Sequence, residues 1–291
     1  MRGEWRLALG LLLPALVTIA LVAIFPLVYT AWESLHRHDL RMPWLGRPFV
    51  GLGNYTELLA NHRFWAALGQ TAFFTLATVT LELALGLVLA LGLDRSFRGR
   101  GVARVVVLLT WAIPAVVGSL VWRFLFAGGG GIANALLGAS VPWLVHPVLA
   151  WVPVVLADVW KTTPFVALLL LAGLQTIDRS LYEAARIDGA SAWRQLTEIT
   201  LPLLAPALLV AALFRSLDAF RVLDLIYVLT GGGPGTATES VSLYAFDVLL
   251  RGLRFGYGSA LSITVFLGAF LLALLFIRVL GAEITGTEES T

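Results

Sequence analysis

Six apolar runs govern what this chain can fold into: approximately Leu7–Trp32, Ala66–Leu93, Val102–Phe126, Val148–Leu174, Leu203–Leu229 and Tyr257–Leu280. A helix that crosses a bilayer needs about 20 consecutive apolar residues, and every run is long enough. None alternates strictly, and each exceeds the roughly 9–11 residues of a barrel strand, so all six read as helices. Composition agrees. The 291 residues are 59% hydrophobic and 13% charged, whereas a soluble domain has roughly 45–50% and about 25%. The expected fold is an all-α, polytopic membrane protein with six transmembrane helices, a single transmembrane domain over 1–291. The first run follows Arg2 and Arg6 as a secretory signal would, but it is longer than a signal's apolar core of about 7–15 residues, which predicts a retained span.

An even number of spans puts both ends on one side of the membrane. Placing the amino end, the 94–104 turn, the 175–201 loop and the carboxyl end in the cytoplasm gathers ten Arg there, against six on the other side. The excess of basic residues in cytoplasmic loops therefore favours a cytoplasmic amino terminus. The densest contribution is Arg95, Arg98, Arg100 and Arg104, read here as a topology anchor.

Eight charges fall inside the expected spans: Arg123, Lys161, Arg215, Arg221, Glu82, Asp158, Asp218 and Asp224. Each costs at least about 2.5–3.5 kcal/mol at mid-bilayer, so they should face one another, partner protein or a wet cavity. Arg215, Asp218, Arg221 and Asp224 stand at successive i,i+3 steps with alternating sign, which lets neighbours pair on a helix surface. Each step falls about 60° short of a turn, so the series winds round the helix and calls for a central position. Asp158 and Lys161 repeat the spacing. A packing network that fixes helix register and a direct part in lining a translocation path both fit these residues. Tyr227 and Trp122 are the aromatic candidates beside them.

Catalytic signatures are missing from the sequence. It contains no Cys and no GxxxxGK[ST] phosphate loop; GGGGIAN (128–134) and TGGGPGT (230–236) lack the Lys and the following helix that such a loop needs, and read as extracytoplasmic loops. His36, His38 and Asp39 are a weak metal pattern, better read as a solvated loop. No catalytic centre, metal or cofactor is expected on this chain.

The segment LQTIDRSLYEAARIDGASAWRQLTEITLPLLAP, from 174 to 206, is unusually structured for a loop. Ser180 and Glu183 have capping-box spacing, Gly189 is placed to end the helix they begin, and Ser191 can cap a second helix running to Leu201 and Pro202. Ala184 and Ala185 leave a smooth surface that another protein could approach closely.

Glu183-Ala184-Ala185, three residues, Gly189, nine residues, Ile199, one residue and Leu201-Pro202 resembles the EAA loop of permease subunits in binding-protein-dependent ABC importers. VWKTTPFVALLLLAGL before it and LFRSLDAFRVLDLIYVLTGGGP after it are similar to the carbohydrate-uptake branch of that family, the permeases for maltose, glycerol phosphate, trehalose and related solutes. The resemblance implies a type I ABC importer permease fold in a bacterial or archaeal cell membrane, with the 175–202 loop forming a cytoplasmic coupling helix. It implies docking on an ATPase dimer through Glu183, Ala184, Ala185 and Gly189, with Ile199, Leu201 and Pro202 tying the loop to the fifth span. It also implies a homologous second permease, an extracytoplasmic sugar-binding protein, and ATP and Mg held by the ATPase alone; nucleic acid has no place in it. The balanced intramembrane charge suits a neutral polyhydroxylated solute such as a disaccharide. Substrate-path candidates are Arg215, Asp218, Arg221, Asp224, Tyr227, Asp158, Lys161 and Trp122. The rival readings are an ion-coupled secondary transporter using Glu82, which has no local partner in its span, and a membrane enzyme or structural subunit.

Overall fold

The computed structural model describes residues 2–288, with side chains from Gly10 to Arg278. The basic start at Arg2 and Arg6 and the last residues of the sixth expected span, 279–280, therefore lie outside the described side chains. In chain order the helices are α1 (Arg2–Ile19), α2 (Phe25–Glu33), α3 (Gly53–Ala60), α4 (His62–Asp94), α5 (Arg100–Ala112), α6 (Ala115–Leu125), α7 (Ile132–Leu137), α8 (Trp151–Leu174), α9 (Arg179–Ile187), α10 (Ala192–Gln195), α11 (Leu201–Phe220), α12 (Asp224–Leu229), α13 (Val241–Phe246) and α14 (Phe255–Glu288). Short π-helical turns join α1 to α2 and α10 to α11. Among the described residues there are no strands, only isolated bridges between His36 and Phe49 and between Asp39 and Arg254.

Five continuous segments are long and apolar enough to cross a membrane: Gly10–Glu33, His62–Asp94, Trp151–Leu174, Ala192–Phe220 and Phe255–Arg278. The sixth expected span, third in the chain, is not one straight helix. It is α5 and α6, bent by 90° at Ile113–Pro114. Pro114 has no amide hydrogen to donate and its ring drives Ile113 out of helical geometry, to ψ 129°. The fifth expected span, 203–229, is also interrupted: α11 stops at Phe220 and α12 begins at Asp224.

The chain divides into two compact units, one comprising the residues through Trp65 with Tyr244–Leu267, the other Ala66–Leu243 with the chain from Gly268 on. In the first unit, Asn54 donates to the Ser34 and His36 carbonyls at 2.8 and 3.0 Å, pinning the chain that leaves α2. The Asn61 amide reaches the Tyr244 and Tyr257 hydroxyls at 3.1 Å each. Gly256 is required at the start of α14, because a Cβ there would lie 2.0 Å from the His36 carbonyl oxygen.

The second unit is organised by α8, which packs against α5, α6, α11 and α12. More than half of its apolar window is buried, against 17% for the Ala192–Phe220 span. The central helix is thus the fourth span, not the fifth. Its core joins Ala90 and Leu93 of α4, Val166, Leu170, Leu171 and Leu174 of α8, and Leu204 and Ala211 of α11. Glycines set the two crossings: a Cβ at Gly86 would come 2.5 Å from Val166 Cγ1, and one at Gly173 would come 2.7 Å from Ala207 Cβ.

Candidate functional site

Arg215 is the hub of the second unit. Its side chain is 3% exposed, and a buried guanidinium needs acceptors for donors that water no longer serves. Three carboxylates supply them. Nε donates to Glu82 Oε2 at 2.5 Å, Nη2 to Glu82 Oε1 at 3.0 Å and to Asp158 Oδ2 at 3.1 Å, and Nη1 to Asp218 Oδ2 at 2.7 Å. The Glu82 contact is a two-pronged fork, which fixes direction as well as distance. Glu82 is fully buried on α4, Asp158 buried on α8 and Asp218 mostly exposed one turn along α11, so one guanidinium ties three helices together.

Thr162 completes the cluster. Its hydroxyl lies 2.6 Å from Glu82 Oε1 and 2.6 Å from the Asp158 carbonyl, so one proton serves two acceptors. Thr162→Val removes one of the two donors to Glu82 Oε1 and leaves Arg215 Nη2 in place, at an expected cost of about 1 kcal/mol, while Thr162→Ser keeps the hydroxyl. Thermal unfolding of the purified protein in detergent checks this; a wild-type midpoint for Thr162→Val would show the contact to be inert.

Among the described residues, the other three cations of the expected spans do not pair with acids. Lys161, three residues from Asp158, donates to the Trp111 carbonyl at 3.3 Å; Arg221 donates to the Leu217 carbonyl at 3.0 Å; Arg123 donates to the Val228 carbonyl at 3.2 Å. All three acceptors lie in the last turn of a helix, at the ends of α5, α11 and α12, where carbonyls lack an intrahelical partner and the dipole favours positive charge. The expected Asp158–Lys161 pair and the alternating Arg215-to-Asp224 ladder are therefore corrected. Arg215–Asp218 pairs as read, but the helix ends at Phe220, so the geometry that would carry the series onward is gone.

A cavity of about 360 Å³ opens where these groups meet, lined among others by Asp158, Lys161, Arg215, Asp218, Arg221 and Asp224. Six of the eight candidates are thus brought together. Trp122 is stacked on Phe126 at 5.8 Å and tilted against Trp160 at 6.0 Å, and Tyr227 is half-exposed on α12; neither lines the cavity. Glu82 and Thr162 were not among the candidates. Glu82 carried a signal, an intramembrane acid with no local partner. Thr162 carried none.

The 175–202 loop is built largely as its residues dictate. Gly189 is left-handed, with φ +77°; its amide donates to the Arg186 carbonyl at 3.1 Å, and the Ala190 amide donates to the Ala185 carbonyl at 2.8 Å. That is the Schellman ending of α9. Ser191 caps α10, accepting from the Arg194 amide at 3.3 Å. The cap of α9 is Asp178, not Ser180: its carboxylate accepts the Ser180 amide at 2.9 Å, which also holds its pKa below the usual carboxylate range. Glu183, Ala184, Gly189 and Pro202 are exposed, while Ala185, Ile199 and Leu201 are half-buried. The Tyr182 hydroxyl lies 3.1 Å from that of Thr200, and its ring packs on the core of α4, α8 and α11. The GGGGIAN segment, expected to have no helix after its glycines, leads into the six-residue α7, which begins within it at Ile132.

His36 and His38 turn to different partners, the Trp32 carbonyl and the Glu33 carboxylate. Arg41 donates to Asp39 at 2.9 and 2.6 Å and holds its carboxyl down to about 2. Among the described residues no group of three or more His, Asp or Glu could hold a metal ion.

Residues 82–283 match the protein family described as the inner membrane component of binding-protein-dependent transport systems. This chain belongs to that family. The permease is 45% identical to the trehalose/maltose transport system permease protein MalF of Thermococcus litoralis, over 95% of this chain and 94% of that one. It is 44% identical to the trehalose transport system permease protein SugA of Mycobacterium tuberculosis, over 99% and 93%. Its fold matches a solved bacterial ABC transporter involved in importing the acidic polysaccharide alginate, with TM-score 0.84 and 21% identity over 97% of the permease and 96% of that chain. The multi-pass membrane reading and the family resemblance both stand on these matches.

Proposed function

We propose that this permease carries a sugar, a disaccharide of the trehalose or maltose kind, through the membrane in an importer driven by a separate ATPase. An extracytoplasmic binding protein delivers the solute. A second, homologous permease completes the pore, and the ATPase dimer alone holds ATP and Mg. The amino terminus and the α9–α10 loop face the cytoplasm, in keeping with the Arg distribution. Identity of 44–45% to permeases named for trehalose and maltose supports the solute class.

The observation that carries the mechanism is the form of α9. Glu183, Ala184 and Ile187 present an outward face, Ile187 being 87% exposed, on a helix closed at both ends by its own caps. Such a rigid, apolar-tipped surface suits docking in a groove. Tyr182, through Thr200, ties it to the base of α11, and Arg215 stands on that helix about 20 Å further along. ATP-driven displacement of α9 is thereby delivered to the cavity, whose two interrupted helices give it places to bend. The charged walls offer carboxylates and guanidiniums to sugar hydroxyls. Docking is assigned to Glu183, Ala184, Ala185 and Gly189, with Ile199, Leu201 and Pro202 as the tie to α11.

Gly189→Val places a β-branched residue at a left-handed position, and Glu183→Arg reverses the charge of the outward face. Both are expected to lose the ATPase on co-purification and to abolish transport-coupled hydrolysis, while the permease still inserts. Full retention of a stoichiometric, coupled ATPase by both variants would overturn the docking assignment. Uptake that collapses with the ion gradient at constant ATP would favour the secondary-carrier reading instead.

A further inference from the structure

The turn between α4 and α5 and the start of α5 carry Arg95, Arg98, Arg100 and Arg104, and Asp94 is the one acid from 94 to the end of α5. Among the described residues, Arg95, Arg98 and Arg100 have no ion-pair or side-chain hydrogen-bond partner. Arg104 is half-buried; its Nη2 donates to the Leu93 carbonyl at 3.2 Å, and its Nε is buried without an acceptor. Gly99, with φ +90°, turns the chain into α5 between Arg98 and Arg100. Setting topology needs charge on one side of the membrane. It does not need four guanidiniums left without carboxylates.

A second observation on the same element says what covers them. Val102, Val105, Val106 and Leu109 of α5 are 56–69% exposed and stand at i, i+3, i+4 and i+7, one apolar stripe, while Ala103 and Val107 on the other side pack against the core of α4, α8 and α11. Phe97, between Arg95 and Arg98 in the sequence, is 48% exposed. A soluble acidic partner would satisfy the charges and leave the stripe in water. An anionic phospholipid satisfies both.

We propose that the α4–α5 turn is a binding site for the phosphodiester headgroup of an anionic phospholipid, held by Arg95, Arg98 and Arg100 with its acyl chains along the α5 stripe. Arg104 anchors the turn from inside through the Leu93 carbonyl. A basic residue at a membrane surface strengthens attraction to an anionic lipid about fivefold.

Native mass spectrometry of the full transporter in maltoside detergent, titrated with phosphatidylglycerol or phosphatidylcholine, tests this. The wild type is expected to retain phosphatidylglycerol at on the order of 100-fold lower concentration than phosphatidylcholine, reflecting the headgroup charge that the three arginines face. Arg98→Gln should shift phosphatidylglycerol retention by about fivefold, and the Arg95→Gln/Arg98→Gln/Arg100→Gln combination by on the order of 100-fold. Millimolar inorganic phosphate should leave the lipid in place, because it cannot cover the stripe. Equal retention of the two lipids, an unchanged Arg98→Gln variant, or displacement by free phosphate would overturn the proposal. If the triple variant fails to insert, Arg98→Gln and the comparison of the two lipids on the wild type decide the matter.

Discussion

Arg215→Met is expected to yield a permease that inserts but does not hold its native packing, the largest effect of any single substitution in the chain. Removing one partner of a buried ion pair costs about 3–5 kcal/mol, because the other charge stays buried without compensation. Here two carboxylates are stranded together, Glu82 with 0% exposure and Asp158 with 12%, each losing its guanidinium contact. Whole-domain stabilities are only about 5–15 kcal/mol, so the loss is a large share of the total. Size-exclusion profiles and thermal unfolding in detergent read the outcome. Adding Glu82→Gln and Asp158→Asn to Arg215→Met removes the stranded charges and should recover part of the stability without recovering transport. A single Arg215→Met variant with wild-type stability would show that the cluster is not what joins α4, α8 and α11.

Gly86→Leu should be the second most damaging change, through shape instead of charge. The Cβ alone would lie 2.5 Å from Val166 Cγ1, 2.9 Å from Val166 Cβ and 3.3 Å from the Ala167 amide nitrogen. Only the first of these is the end of a side chain, so the helices themselves must part. Overpacking of this kind costs roughly 1–3 kcal/mol. Gly86 is one turn from Glu82 on the same face of α4, so parting the crossing also pulls the carboxylate from Arg215. Gly92→Ala is the control in the same helix: nothing lies within 4 Å of its added Cβ, and alanine's higher helix propensity should make it neutral or stabilising by about 0.5–1 kcal/mol. Equal thermal midpoints for Gly86→Leu and Gly92→Ala would rule the crossing out as a tight contact.

What could be read from the sequence was what is decided locally. The length of an apolar run depends on its own residues, and four of the six expected spans stand as continuous helices, with the fifth continuous as far as Phe220. Gly189 and Ser191 act on amides within a few residues, so the turn and cap of the EAA loop follow from spacing. The partner of Glu82 did not, because Arg215 is 133 residues away and only the packing of α4 on α11 brings them together. Local i,i+3 spacing named Lys161 for Asp158, and the fold gave Asp158 to Arg215, 57 residues on. The break at Pro114 was visible as a proline, yet apolar length outweighed it. The end of α11 at Phe220 has no Gly or Pro to announce it, since Arg221 follows directly and closes the helix with its own side chain.

The three cations seated on helix-end carbonyls also bear on how this permease tolerates change. A side-chain partner such as Glu82 can be lost by one substitution, but a carbonyl is supplied by whatever residue stands there. Trp111, Leu217 and Val228 can each vary and still accept from Lys161, Arg221 and Arg123. The cavity thus has one brittle corner, where identity is fixed by charge on both sides, and a robust rim at Lys161 and Arg221, where only the cation is fixed. Drift among related permeases can therefore reshape the rim's surface without dislodging the interrupted helices that frame it.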